Sequence, residues 1–185
     1  MPASHHHERR FQGDPGRLRN PERLQLLEVK RVVELCLEGV TVRRLLDVGT
    51  GTGVFAQAFS EAGIDVSGVD ANAEMVELAK GYIPGGHFRT APAEALPYPD
   101  QWFDMVFLGH VLHESDDPLR ALGEARRTAR HRVVVLEWPY QSDEHGPPLE
   151  HRLKPEAISE LAARVGFAKF DSPALAHMAL YRFDR

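Results

Sequence analysis

The stretch LLDVGTGTG at residues 45–53 constrains the fold of this chain more than any other part of its 185 residues. An apolar, strand-like run carries Asp47 near its end, and three glycines, Gly49, Gly51 and Gly53, then alternate with threonines. Glycine belongs where the backbone turns tightly or approaches a ligand with no side chain in the way. A helix starting near Val54 adds its free N–H groups to the same space. Strand, glycine loop and helix together predict the opening unit of an α/β sheet with a ligand at the loop.

Downstream, short apolar runs alternate with helical patterns, as in a parallel sheet covered on both faces. The runs are RRLLDV, DVSGV, HFRT, FDMVFL and RVVVLEW. Helices are expected over residues 54–62 with Gly63 as the stop, 73–80 with Asn72 as the cap, 118–129 with Asp117 as the cap, and 155–165 closing at Gly166. FAKFD and HMALYRF follow as two strand candidates around a Pro173 turn, too close together for a helical crossover and therefore antiparallel. Ahead of the first strand, Asn20 and Pro21 predict a capped helix that ends by Gly39, with Leu24, Leu27, Val32, Leu35 and Cys36 on its apolar face. Residues 1–20 read as a loosely ordered lead-in, with His5, His6 and His7 on a mobile terminus, and residues 21–185 as a single domain.

Composition narrows the function. A formal net charge of -5 argues against nucleic acid as a partner, and no apolar run is long enough to span a membrane. The single cysteine, Cys36, forbids an intramolecular disulfide, and the N-terminus lacks the apolar core of a secretory signal. Both features point to the cytoplasm.

Three ligands suit a glycine loop of this kind: a dinucleotide, a nucleotide phosphate or S-adenosylmethionine. A G-x-x-x-x-G-K-[ST] phosphate loop is excluded, because no lysine follows these glycines. The dinucleotide pattern G-x-G-x-x-G would place its third glycine where this chain has Val54. Asp47 repels a pyrophosphate and attracts an ammonium and a sulfonium, which is the charge pattern of S-adenosylmethionine. Asp70 lies about twenty residues beyond the loop, at the end of the second strand, where an acid accepts from ribose hydroxyls. It argues for an adenosine ligand without choosing between the methyl donor and NAD.

Taken in order, LLDVGTGTG, GVDANAEMVELA, APAEALPYPDQWFDMVF and LHESDDPLRALGEARR resemble the class I S-adenosylmethionine-dependent methyltransferases. More narrowly they resemble the type 11 group related to ubiquinone and menaquinone biosynthesis methyltransferases. The resemblance runs over residues 42–138, and a narrower likeness to small bacterial members covers most of the chain. It implies a Rossmann-like, doubly wound α/β fold: a seven-stranded sheet, mostly parallel with an antiparallel last strand, and helices on both faces. It also implies that Asp47, Gly49, Gly51 and Gly53 hold the methionine end of the donor, that Asp70 takes the ribose, and that Ala71 and Met75 border the adenine. Where the family often has an acid before AE, this chain has Pro92, so adenine recognition falls to the Ala93 backbone or the Glu94 side chain. Leu108 and Gly109 fall where the family contacts the methionine moiety. ARHRV replaces the usual KPGG turn before the fifth strand, a change expected to affect only a surface turn.

Methyl transfer is an in-line displacement, so alignment of donor and acceptor supplies much of the acceleration. A general base is needed only where the acceptor must lose a proton. Ligands of open α/β sheets sit beyond the carboxyl ends of the strands. There the sequence places His110 and His113, with Glu114 beside them, and Glu137 with Trp138. His145 and His151 sit in EWPYQSDEHGPPLEH, a stretch long enough to form a lid. His110, His113 and Glu137 are the candidate catalytic residues. His110, His113, His145 and His151 also have metal-ligand chemistry, but HVLHE is not H-E-x-x-H, and no metal is expected. The leading reading is a methyltransferase for a small, apolar or aromatic acceptor. A nicotinamide-dependent oxidoreductase and a module that binds S-adenosylmethionine without turnover are the alternatives.

Overall fold

The computed structural model describes residues 13–168 and 170–185, so His5, His6 and His7 lie outside the described residues. Its strands are β1 (Arg44–Val48), β2 (Asp65–Asp70), β3 (His87–Thr90), β4 (Phe103–Gly109), β5 (Ala129–Glu137) and β6 (Ala179–Asp184). They form one sheet in the order β3-β2-β1-β4-β5-β6, parallel throughout except for β6, which runs antiparallel to β5. The helices are α1 (Pro21–Leu26), α2 (Val29–Leu37), α3 (Val54–Glu61), α4 (Ala73–Tyr82), α5 (Pro118–Thr128) and α6 (Pro155–Arg164).

Side chains alternate across a strand, and here both faces are apolar because both are covered. Leu45, Met105, Phe107, Val134 and Leu136 point to one face, where they meet α2, α3 and α4 through Val32, Phe55, Phe59 and Val76. Leu46, Val48, Val106, Leu108, Val133 and Val135 point to the other, against Leu122 and Ala125 of α5 and Ile158 and Ala162 of α6. Each such side chain, fully buried, contributes roughly 1.5–3 kcal/mol. The chain winds outward from β1 in one direction and from β4 in the other, which opens a crevice beyond the carboxyl ends of those two neighbours.

The sheet has six strands among the described residues, one fewer than the resemblance implies. The described residues of FAKFD form no strand: Asp171 and Arg182 exchange a backbone pair, and only an isolated bridge between Ala174 and Ala179 follows. In that antiparallel register the next hydrogen-bonded position is 173, and Pro173 has no N–H to donate. The single expected N-terminal helix is divided into α1 and α2 at Glu28, whose φ of 49° is left-handed. The Glu28 carboxylate accepts from the His177 N–H at 2.9 Å, a contact 149 residues away in sequence. Within the expected lead-in, Pro15–Arg19 form a 3-10 turn capped by the Asp14 side chain. No surface turn replaces KPGG: Ala129 ends α5 and begins β5. Among the described residues no helix is long and apolar enough to cross a membrane.

Candidate functional site

At the crevice lies a cavity of about 1060 Å³. Its floor is the glycine loop. Gly49 has a φ of +66°, and a Cβ there would collide with Cγ2 of Val111, so the position excludes any side chain. Thr50 N–H donates to the Val69 carbonyl at 2.9 Å and Gly53 N–H to the Thr50 carbonyl at 2.8 Å, which closes the turn onto β2.

Two acids hold this loop. Asp47, 2% exposed, lines the cavity and accepts from Thr50 Oγ1 at 2.8 Å. Burial pushes its pKa up to about 7, the Thr50 hydroxyl and the Ala56 N–H pull it down, and the charge of Asp70 pushes it up again. Ala56 is in the first turn of α3, so the Asp47 carboxylate lies at the helix end that would receive a pyrophosphate. Asp70 accepts from the Gly51 N–H at 2.9 Å and the Asn72 N–H at 2.8 Å and borders the same space. The pair makes this half of the cavity hostile to phosphate and receptive to a cation and to hydroxyl donors.

Of the other residues predicted for the donor, Gly51, Ala71, Met75, Ala93 and Glu94 line the cavity. Gly53 does not. It packs against Ala79 and Ile83 with a φ of +79° and serves the start of α3. Leu108 also fails to reach the cavity, because the alternation of β4 turns its side chain into the α5 and α6 core, while Gly109 one residue on does line it. Glu94 is committed to the segment before α5, accepting from Ser115 Oγ and from the Asp116 N–H at 3.1 Å. Burial works to raise its pKa, but the hydrogen bond from Ser115 and those from the 116–117 backbone bring it below the ordinary value.

At the ends of β4 and β5, His113 Nδ1 meets Glu137 Oε2 at 2.7 Å, with the two residues 5% and 2% exposed. Burial alone would lower the His113 pKa, and the Glu137 charge and hydrogen bond overcome it, so the net shift is upward. His113 lines the cavity; Glu137 lies behind it and does not. His110 has a φ of 61° and places its Nε2 3.4 Å from Met178 Sδ. Burial, then the charges of Arg23 and His113, lower its pKa well below the usual value and keep it neutral.

Segments far from the strand ends complete the enclosure. α1 and the turn before it contribute Leu18, Asn20, Arg23, Leu26 and Leu27. Arg19 pins that turn to the loop by donating to the Thr52 carbonyl at 2.8 Å. From the opposite side, residues 144–148 and His151 form a wall with Trp138. One buried side chain holds that loop: Arg152 donates to the carbonyls of Pro147, Pro139, Gln141 and His145. Sequence reasoning identified the α1 helix and the possible lid but not the arginines that organise them. His110, His113, His145 and His151 all border the cavity, yet among the described residues no three His, Cys, Asp or Glu side chains group closely enough to hold a metal.

Residues 46–136 match the family model described as Methyltransferase domain. This segment belongs to this family. The chain is 35% identical over 112 residues to the demethylmenaquinone methyltransferase of Thermotoga maritima, an alignment covering 58% of this chain and 48% of that enzyme. It thus spans about half the length of the curated relatives it matches. A crystal structure of a SAM dependent methyltransferase from Aquifex aeolicus superposes with a TM-score of 0.76 at 22% identity, over 94% of this chain and 98% of that one. The magnesium protoporphyrin IX methyltransferase of Synechocystis PCC 6803 with bound SAH gives a TM-score of 0.72 at 16% identity, over 96% and 91% of the two chains. These likenesses establish the fold.

Whether the residues fit a methyl donor is tested by their chemistry. A buried carboxylate on the cavity wall, a second acid on the next strand, and the partnerless buried hydroxyl of Thr52 match an ammonium, a sulfonium and a ribose. They do not match a pyrophosphate. The nicotinamide alternative therefore finds no support.

Proposed function

We propose that this chain is an S-adenosylmethionine-dependent methyltransferase acting on a small-molecule acceptor. The carrying observation is Asp47, a carboxylate so buried that its pKa is raised to about 7, set in the cavity wall under the glycine loop. A bound cation removes the cost of ionising it. In this reading Asp47 and the Gly49 and Gly51 backbone hold the methionine end, Asp70 takes the ribose, and Ala71, Met75 and Ala93 border the adenine. S-adenosylmethionine supplies the activated methyl group.

The protein's own work is to align the acceptor and, for a hydroxyl acceptor, to receive its proton at His113 Nε2 while Glu137 holds Nδ1. Demethylmenaquinone as the named acceptor of a relative favours a planar, apolar molecule. With Cys36 as its one cysteine, the described fold needs no disulfide and no oxidising compartment, which supports a cytoplasmic enzyme.

Incubation with isotopically methyl-labelled S-adenosylmethionine and a metabolite extract tests the reading, with mass spectrometry to find labelled small molecules. Labelled product is expected, and His113→Asn should lower its rate by about 100-fold for a hydroxyl acceptor. Binding of S-adenosylhomocysteine with no labelled product would favour the non-catalytic module. Absence of binding would overturn both.

A further inference from the structure

Among the described residues, Arg23 in the cavity wall forms no salt bridge. Its Nε is buried and has no hydrogen-bond partner, and among the described residues no carboxylate lies within ion-pair distance of it. Burial lowers its pKa, and the Glu114 charge acts from farther off in the opposite sense. The neighbouring arginines are occupied: Arg19 donates to Gln57 and the Thr52 carbonyl, and Arg152 to the loop carbonyls. A half-buried guanidinium with an unpaired buried Nε and no acceptor for its fork gains from a ligand that provides one.

The position of Arg23 indicates which ligand. Its guanidinium carbon is 5.9 Å from the Trp138 ring centre, and its charge acts on His110. Trp138 follows β5 and His110 follows β4, whereas the acids Asp47 and Asp70 sit on β1 and β2, across the crevice. The cavity wall that Arg23 shares includes the apolar Leu26, Leu27 and Trp138, together with His110 and with Glu114, which lies 3.8 Å from His113 Nε2. Glu22 and Glu144 share the rim but face water, where screening weakens them.

Resting on the methyltransferase reading, we propose that Arg23 anchors an anionic oxygen, a carboxylate or phenolate, on the methyl acceptor. The enzyme would then select small acids or phenols with an apolar body over neutral analogues. Arginine suits this role because its fork of donors matches a carboxylate in two contacts.

The donor also carries a carboxylate, on its amino-acid end, and the test separates the two sources. A metabolite extract is divided by anion exchange into anionic and neutral pools, and each is offered to the wild type and to Arg23→Met and Arg23→Lys with methyl-labelled donor. Thermal shifts with S-adenosylhomocysteine and with methylthioadenosine, which lacks the amino-acid end, are measured in parallel. Label is expected from the anionic pool. Arg23→Met should lose about 30-fold or more in kcat/KM with the S-adenosylhomocysteine shift unchanged, and Arg23→Lys should lose less. Label arising from the neutral pool, or full turnover by Arg23→Met, overturns the proposal. So does an Arg23→Met protein that loses the S-adenosylhomocysteine shift but keeps that of methylthioadenosine, because Arg23 then serves the donor. A wild type that labels neither pool takes down the parent reading, and this one with it, before any variant is compared.

Discussion

On the side of the cavity formed by β1, β2 and β3, the floor comes from strand ends and the short loops that leave them, braced by the Thr50 hydroxyl on Asp47 and by backbone N–H groups on Asp70. Over β4 and β5 the enclosure comes instead from α1 and from residues 144–151, which are brought in from well before and after the strands they cover. Carboxylates organise the first half by accepting from the loop; arginines organise the second by donating to it or by waiting for a ligand. A half built on rigid strand ends is suited to a constant ligand, and a half built on attached segments is free to vary with the acceptor.

Gly49→Ala strikes the donor half hardest. The added methyl meets Val111 and forces a side chain into left-handed backbone, a strain of about 1–2 kcal/mol before the collision is counted. Calorimetric titration should show S-adenosylhomocysteine affinity reduced about 100-fold, as a shift of about 2.7 kcal/mol requires. If affinity is retained, the loop does not carry the donor and the contrast between the halves fails.

Asp47 gives a smaller and pH-dependent effect. Its folded pKa of about 7 lies above the unfolded value, so its contribution to stability is present below the unfolded value and is lost as the pH rises through 7. A cationic ligand demands the ionised form, so binding runs the other way and weakens as the pH falls. Between pH 7 and 5.5 the dissociation constant of S-adenosylhomocysteine should rise about 15-fold. In Asp47→Asn the affinity should be low and nearly flat over that interval. A wild type that is equally flat would remove Asp47 from the ligand's ammonium.

The same contrast marks what the sequence could carry. β1, β4 and β5 were legible because both of their faces are apolar, and the caps Asn72 and Asp117 mark α4 and α5 within a residue of their starts. The placement of Asp47 and Asp70 at the cavity was legible because it follows from their distance to the glycines along the chain. Leu108 was not, since one step along β4 decides between core and cavity, and Gly109 took the cavity side. The missing strand depends on Pro173 falling at a hydrogen-bonded position, which only the register with β6 fixes. The break at Glu28 rests on a partner in the last turn of the chain before β6. Arg23 and Arg152 look in sequence like surface cations; the partial burial of the first and the full burial of the second come from tertiary packing alone.

Arg152→Met isolates the acceptor half. The residue is 6% exposed and bridges carbonyls of Pro139, Gln141, His145 and Pro147, with no carboxylate among its hydrogen-bond acceptors. Its removal leaves those carbonyls to find water, which they do by letting the loop peel from Trp138, against which Gly146 packs so closely that an added Cβ would lie 2.6 Å from the ring. Loss of a charged hydrogen-bonding hub costs about 2–4 kcal/mol, which for a chain of this size lowers the melting temperature by about 5–10 °C. Proteolysis should open a new site within residues 139–151, and KM for the acceptor should rise while kcat falls less. The affinity for S-adenosylhomocysteine should move by less than about twofold, because independent sites add. A matching loss of donor affinity would mean that the two halves are one cooperative unit, and that the arginines and the acids support the same ligand.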